Sequence, residues 1–211
     1  MSLEELLQRA RVWRAGKAAP GAGRPSGFAA LDAILPGGGW PASGLTEILA
    51  AGTGIGALRL VLPALARLSH EGRWIIWVAP PHIPYSPALS GHGLDLARVL
   101  VVDFPEGEGE TQALWAYEQA LRFDACGAAL LWTGKLPALR LRRLQLAAES
   151  GATWGLLFRP AACAEQPSPA PLRLDLEALA PAPAEAPVSA LQVRLRKARG
   201  IHAGQQCRLE I

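Results

Sequence analysis

A chain of 211 residues suits one ordinary α/β domain with short extensions, and with half its residues apolar it has ample material for a buried core. Only 18% of the residues are charged, below the typical quarter of a soluble protein, and with seven Trp this leaves apolar surface for a partner to cover. The net charge of +3 and a pI near 9.0 do not identify a nucleic-acid binder, and three widely spaced cysteines without a Cys-x-x-Cys pair argue against a disulfide framework or a zinc site.

At the start, Ser2 and Glu5 form a capping box, and Leu3, Leu6, Leu7, Ala10 and Trp13 recur at helical spacing. This predicts an amphipathic helix over 1–15. A Gly/Ala/Pro-rich linker follows over 16–26, and the core domain spans 27–211. Glu4, Glu5 and Arg9 interrupt any secretory pattern, and Arg59 and Arg67 break the most apolar stretch. A reduced, cytoplasmic protein is therefore expected.

Strands and helices then alternate. Strands are predicted over 45–49, 74–79, 99–103, 128–132 and 153–158, and helices over 57–69, 111–123 and 136–149. Residues 74–79 form an almost continuous apolar run, as expected for a strand covered on both faces. In the helix at 111–123, Leu114, Trp115, Tyr117 and Leu121 are the expected core contacts. Such alternation implies right-handed crossovers and a mostly parallel sheet with helices on both faces. Residues 160–171 read as a loop and 178–187 as a mobile Ala/Pro-rich stretch. Alternating strands over 171–176, 190–196 and 205–211 form a small antiparallel C-terminal extension.

The strand at 45–49 runs through Gly52, Gly54 and Gly56 directly into a helix, the setting of a phosphate-binding loop. Hydrolysis also needs a Lys for the outer phosphates and a Ser or Thr for Mg²⁺. Here Ala57, Leu58 and Arg59 follow instead. The loop is expected to be structural, with weak anion binding by its amides as the other reading, and no cofactor or metal is expected.

The segment Pro25-Ser26-Gly27-Phe28-Ala29-Ala30-Leu31-Asp32, then Pro36-Gly37-Gly38-Gly39-Trp40-Pro41 and Leu45-Thr46-Glu47-Ile48, resembles the opening of RecA proteins. At the far end, 172–176 and 193–199 resemble the last strands of the RecA core. The resemblance implies a RecA-like P-loop NTPase fold, but its catalytic Glu falls near Pro80-Pro81 and its Walker B Asp is replaced by Trp132. Both loops corresponding to single-stranded DNA binding are shortened, around 134–138 and 161–171.

Two degenerate relatives of RecA share these features, the ImuA family and the SulA division inhibitors. Residues 72–81 and 93–100 are similar to both. The retained Gly-Gly-Gly-Trp-Pro element and C-terminal strands favour ImuA. That resemblance implies a non-enzymatic, SOS-induced accessory role in error-prone translesion synthesis, bridging RecA, the polymerase-like ImuB protein and an error-prone DNA polymerase. The alternative is a SulA-like inhibitor of cell division that binds FtsZ.

Other candidates follow from the residues themselves. Arg140 and Arg143 share a helix face, which could meet DNA phosphates or an acidic partner, or simply be solvated. Arg194 and Arg196 share the exposed side of a strand, as a partner surface or as a charged edge against aggregation. Trp13 and Trp40 lie outside the central strands and are the interface candidates among the tryptophans. Glu106, Glu108 and Glu110 read as a solvated acidic loop or as the acidic start of the helix at Thr111, and the four His show no ligand spacing.

Overall fold

The computed structural model describes residues 23–52, 54, 56–104, 109–179, 190–198 and 203–211. The expected helix over 1–15, with Trp13, and Glu106 and Glu108 lie outside these residues, as do the greater parts of the linker and of the Ala/Pro-rich stretch. The described elements are α1 (Ala29–Asp32), β1 (Gly44–Ala50), α2 (Ala57–His70), β2 (Trp74–Val78), α3 (Ser86–Gly91), β3 (Val99–Val102), α4 (Glu110–Arg122), β4 (Cys126–Trp132), α5 (Ala138–Ser150), β5 (Trp154–Pro160), β6 (Leu172–Leu179), β7 (Ala190–Ala198) and β8 (Gln206–Glu210). Among the described residues no helix is long and apolar enough to cross a membrane.

Among the described residues, one sheet holds all eight strands, in the order β3-β2-β4-β5-β1-β6-β7-β8. Neighbours from β3 to β6 are parallel, and β7 and β8 close the sheet as antiparallel pairs. The sheet is thus mixed. The central strands β1, β4 and β5 are buried along almost their whole length because helices cover both faces, which explains their near-continuous apolar runs. On one face, α2 packs Leu60, Val61, Leu65 and Leu68 over Ile48, Ile75, Leu130 and Leu156. On the other, α4 and α5 bring Tyr117, Leu121, Leu141 and Leu144 against Ile76, Ala129, Leu131 and Leu157. Leu174, Leu191, Val193, Leu195 and Leu209 carry the first core on through β6 to β8, so the antiparallel strands are integral to it.

The end of the expected linker is part of the domain. Arg24 pairs antiparallel with Trp40, through Arg24 N to Trp40 O and Trp40 N to Arg24 O, both 2.7 Å. A side chain at Gly39 would strike the Arg24 carbonyl, so this close approach requires glycine. The bridge carries Trp40 into the core, where it lies 5.3 Å from the Trp154 ring. Trp154 in turn donates from Nε1 to Thr46 Oγ1 at 3.0 Å. Trp40 is fully buried and cannot be the interface residue expected from its place outside the strands. Trp115 departs from expectation in the other direction. It is exposed on α4, while Tyr117, two residues on, is fully buried and donates its hydroxyl to the Leu156 carbonyl at 3.2 Å.

The glycine loop after β1, expected to be structural, sits against apolar side chains. α2 begins on Ala57 and Leu58, and the space beside the Gly56 backbone is taken by the Ile211 side chain, with Leu191 behind it. Apolar side chains from the antiparallel end of the sheet therefore press on this turn, where a phosphate cradle would need open, polar space.

Replacing Trp154 with Ala removes the ring that Trp40 packs on and should cost about 3–5 kcal/mol in urea unfolding. Burial pushes the Cys126 thiol from 9.0 up to about 12, so the folded chain holds that proton to higher pH than the unfolded chain. Its contribution to stability is complete below pH 9 and is lost as pH rises from 9 towards 12. Urea melts across that range should show a shallower alkaline decline in Cys126→Ala than in the parent chain.

Candidate functional site

Parallel strands deliver their carboxyl ends to one side of the sheet, where the following loops leave a crevice. Here that crevice is a groove of about 640 Å³, lined from the ends of β1, β2, β4 and β5 and the start of α2. Its wall is aromatic. Trp77 on β2 and Trp132 on β4 have ring centres 5.7 Å apart, and Trp132 stacks on Phe158 of β5 at 4.8 Å with planes 13° apart. The stack follows from register, because Trp132 and Phe158 are direct partners across β4 and β5. Ile48 and Ala50 of β1 and Leu58 of α2 add aliphatic surface.

The outer lip is the segment after β2. The chain leaves β2 through Ala79 at φ 46°, a left-handed conformation that a non-glycine residue seldom adopts. The turn is fixed by Ala79 N donating to Val102 O at 2.8 Å. It leads into Pro80-Pro81-His82-Ile83-Pro84-Tyr85, where Ile83 is 90% and Tyr85 72% exposed. Two large apolar side chains in solvent beside an aromatic groove form a surface that a partner's apolar side chains could cover.

Gly52, Gly54 and Gly56 form the rim of this groove. Gly56 sits at φ 93° as the residue before α2, and no side chain caps that helix. Arg59 lines the groove, and so do Pro80, Pro81 and Trp132, which stand at the expected positions of the catalytic Glu and the Walker B Asp. The resulting lining is aromatic and aliphatic, with few polar side chains.

Beneath the groove lies a charged cluster that no sequence reading singled out. Glu47 on β1 is fully buried between Arg159 of β5 and Arg173 of β6. Its Oε2 lies 3.3 Å from Arg159 Nη1 and accepts from Arg173 Nε at 2.8 Å, and Ser168 Oγ donates to Oε1. Arg159 also donates from Nε to the Gly134 carbonyl at 3.1 Å and from Nη2 to Gln166, which itself donates to the Leu136 carbonyl. Arg173 donates from Nη2 to the Cys163 carbonyl at 3.1 Å. One carboxylate thus ties the turn after β4 and the segment between β5 and β6 to the centre of the sheet. Lys197 closes the outer side by donating to the Ser168 carbonyl at 2.8 Å, and burial and the neighbouring Arg173 hold its pKa below the usual lysine value. The available sequence signal was a Glu inside the apolar run Leu45-Thr46-Glu47-Ile48-Leu49, since a charge placed there needs an ionic partner.

The other predicted residues are not brought to the groove. Arg140 and Arg143 lie on α5, both exposed, and Arg143 reaches across to Glu118 of α4 at 2.8 Å. Arg194 is exposed on β7. Arg196 is half-buried, bound to Asp175 at 2.7 Å and Glu165 at 3.1 Å, and the Asp175 hydrogen bond raises its pKa. Its role is to join β6 and β7, not to offer a free cation.

The family model described as "Cell division inhibitor SulA" matches residues 45–155. A cell division inhibitor SulA of Edwardsiella piscicida is 36% identical over 121 residues, covering 57% of this chain and 70% of that protein. The protein ImuA of Caulobacter vibrioides is 31% identical over 140 residues, covering 64% of this chain and 54% of that protein, so the chain spans little more than half of its length. The crystal structure of SulA from Pseudomonas aeruginosa aligns at 26% identity with a TM-score of 0.45, over 55% of this chain and 97% of that one. The family match corrects the expected RecA-like P-loop NTPase fold: the model that matches, over residues 45–155, is that of the SulA family, and the loop after β1 is packed with apolar side chains.

Replacing Glu47 with Ala should destabilise the chain by about 3–5 kcal/mol, because two buried guanidinium groups lose their counter-charge. Urea unfolding would measure the loss, and limited proteolysis should cut first between residues 161 and 171.

Proposed function

The chain belongs to the SulA family and is related to the ImuA proteins, and from that premise we propose that it acts by binding partner proteins in error-prone translesion DNA synthesis after DNA damage. The observation that carries the reading is the groove. A triphosphate needs converging cations and a metal ligand at this place, and the groove is instead lined mostly by aromatic and aliphatic side chains, with Ile83 and Tyr85 exposed at its lip while Trp77 and Phe158 are buried in its wall. Binding of this kind needs no cofactor, and we propose that the chain does not hydrolyse nucleotides.

An ImuB-type polymerase-like protein is the proposed direct partner, with RecA and an error-prone polymerase in the same assembly. Two features support this over a division-inhibitor role. The similarity to the Caulobacter ImuA runs over 140 residues, against 121 for the Edwardsiella SulA. The chain also carries β6 to β8 beyond residue 155, where the family match ends, and those strands share the main core. The higher identity, 36%, is to a protein named as a cell division inhibitor, which keeps FtsZ as the competing partner.

A pull-down with purified ImuB-type protein and purified FtsZ from the same organism separates the readings. The chain should retain the ImuB-type protein, and Ile83→Asp with Tyr85→Asp should weaken that retention by about tenfold or more. Retention of FtsZ alone would overturn the translesion reading. Micromolar binding of labelled ATP with Mg²⁺, followed by turnover, would overturn the non-enzymatic one.

A further inference from the structure

On the opposite face of the sheet from α2, α4 and α5 run side by side and expose a surface that neither the core nor the groove uses. Three large apolar side chains stand out of it: Trp115 is 65% exposed, Leu139 71% and Leu146 54%. On α5, Leu139 and Leu146 are two turns apart, with Arg142 and Arg143 on the same ridge between them. On α4, Trp115 lies three residues before Glu118, one turn along the same face. The two ridges are joined where Arg143 binds Glu118 at 2.8 Å.

The charges around these side chains have one dominant sign. Arg122, Arg140, Arg142 and Arg143 are all exposed. Glu118 is the acidic residue between the ridges, and Arg122 and Arg143 share it at 3.0 and 2.8 Å. Burial pushes the Glu118 carboxyl up, but the hydrogen bonds from Arg143 and Arg122 outweigh this and hold it below the usual carboxylate value. Glu110 and Glu149 lie at the far ends of the two helices.

From this arrangement we infer that the α4–α5 face binds an acidic amphipathic helix of a partner protein, whose apolar stripe covers Trp115, Leu139 and Leu146 while its carboxylates meet Arg140 and Arg142. Nucleic acid is the less suitable occupant, because a phosphate backbone offers nothing to Leu139 and Leu146. The chain's own residues 1–15 do not match either, since Arg9, Arg11 and Arg14 outnumber Glu4 and Glu5. Apolar anchors at helical spacing in a ring of one charge are how grooves recognise amphipathic helices. The surface is separate from the strand-end groove, so the inference does not depend on which partner the groove takes.

Three labelled probes test it by fluorescence anisotropy on the whole chain: a designed helical peptide with Leu at i, i+3 and i+7 flanked by Glu, the same peptide with Lys for Glu, and single-stranded oligo-dT. The acidic peptide should bind about tenfold or more tightly than the basic one, and added salt should weaken it. The pairs Trp115→Ala/Leu139→Ala and Arg140→Glu/Arg142→Glu should each reduce its affinity by about tenfold, with urea midpoints near that of the parent chain. Equal affinity for acidic and basic peptides, or no binding of either, would overturn the inference. So would oligo-dT binding that Arg140→Glu/Arg142→Glu abolishes and Trp115→Ala/Leu139→Ala leaves intact.

Discussion

Glu47 places a carboxylate in the centre of the sheet, and Arg159 and Arg173 meet it from the strands on either side. Taking three charges out of water costs several kcal/mol per ion unless each finds a counter-charge and hydrogen bonds. Here one further donor of each guanidinium goes to a carbonyl that belongs to no strand, Gly134 after β4 and Cys163 between β5 and β6, and Arg159 also donates to the Gln166 side chain. The cluster is therefore a device for fixing loops. An apolar trio of the same volume would fill the space as well, but it would leave those carbonyls without donors and the two segments without an anchor.

The groove depends on that anchor. Arg159 and Pro160 line it at the end of β5, and Thr133 lines it next to the Gly134 held by Arg159. Trp132 and Phe158 of the aromatic stack stand on β4 and β5, whose exits are held by the same contacts, and Trp77 packs on Trp132 from β2. A rigid wall with a projecting lip is suited to taking a partner's side chains, since little conformational entropy is lost on its side of the contact. At the other end of the sheet, β7 and β8 press Ile211 and Leu191 against Gly56. Aromatic and aliphatic packing thus occupies both sides of a turn that sequence pattern alone would assign to phosphate.

Most strands and helices were legible because period and length are local properties: the runs at β2, β4 and β5 are apolar and short, and α2 repeats its leucines at helical spacing. The errors were tertiary. Trp40 looked free because it stands outside the strands, yet a two-residue bridge with Arg24 carries it under Trp154. Trp115 looked buried because its helix is apolar, yet Tyr117 takes the inward position. Arg196 looked like an open cation until Asp175 and Glu165 were placed beside it. The Glu47 cluster joins residues more than a hundred positions apart, and no local pattern encodes that meeting. The name of the fold failed for a related reason: glycines mark where a backbone can turn, not what fills the space around it.

The central claim is that the strand-end groove is a protein-binding surface. A photo-crosslinking amino acid placed at Ile83, which is almost wholly exposed on the lip, tests it directly. In the presence of the ImuB-type protein, illumination should yield one covalent complex with that protein, lost when Trp132 is changed to Glu. Absence of any crosslink to protein, together with crosslinking of the groove to a photoreactive ATP analogue, would contradict the account.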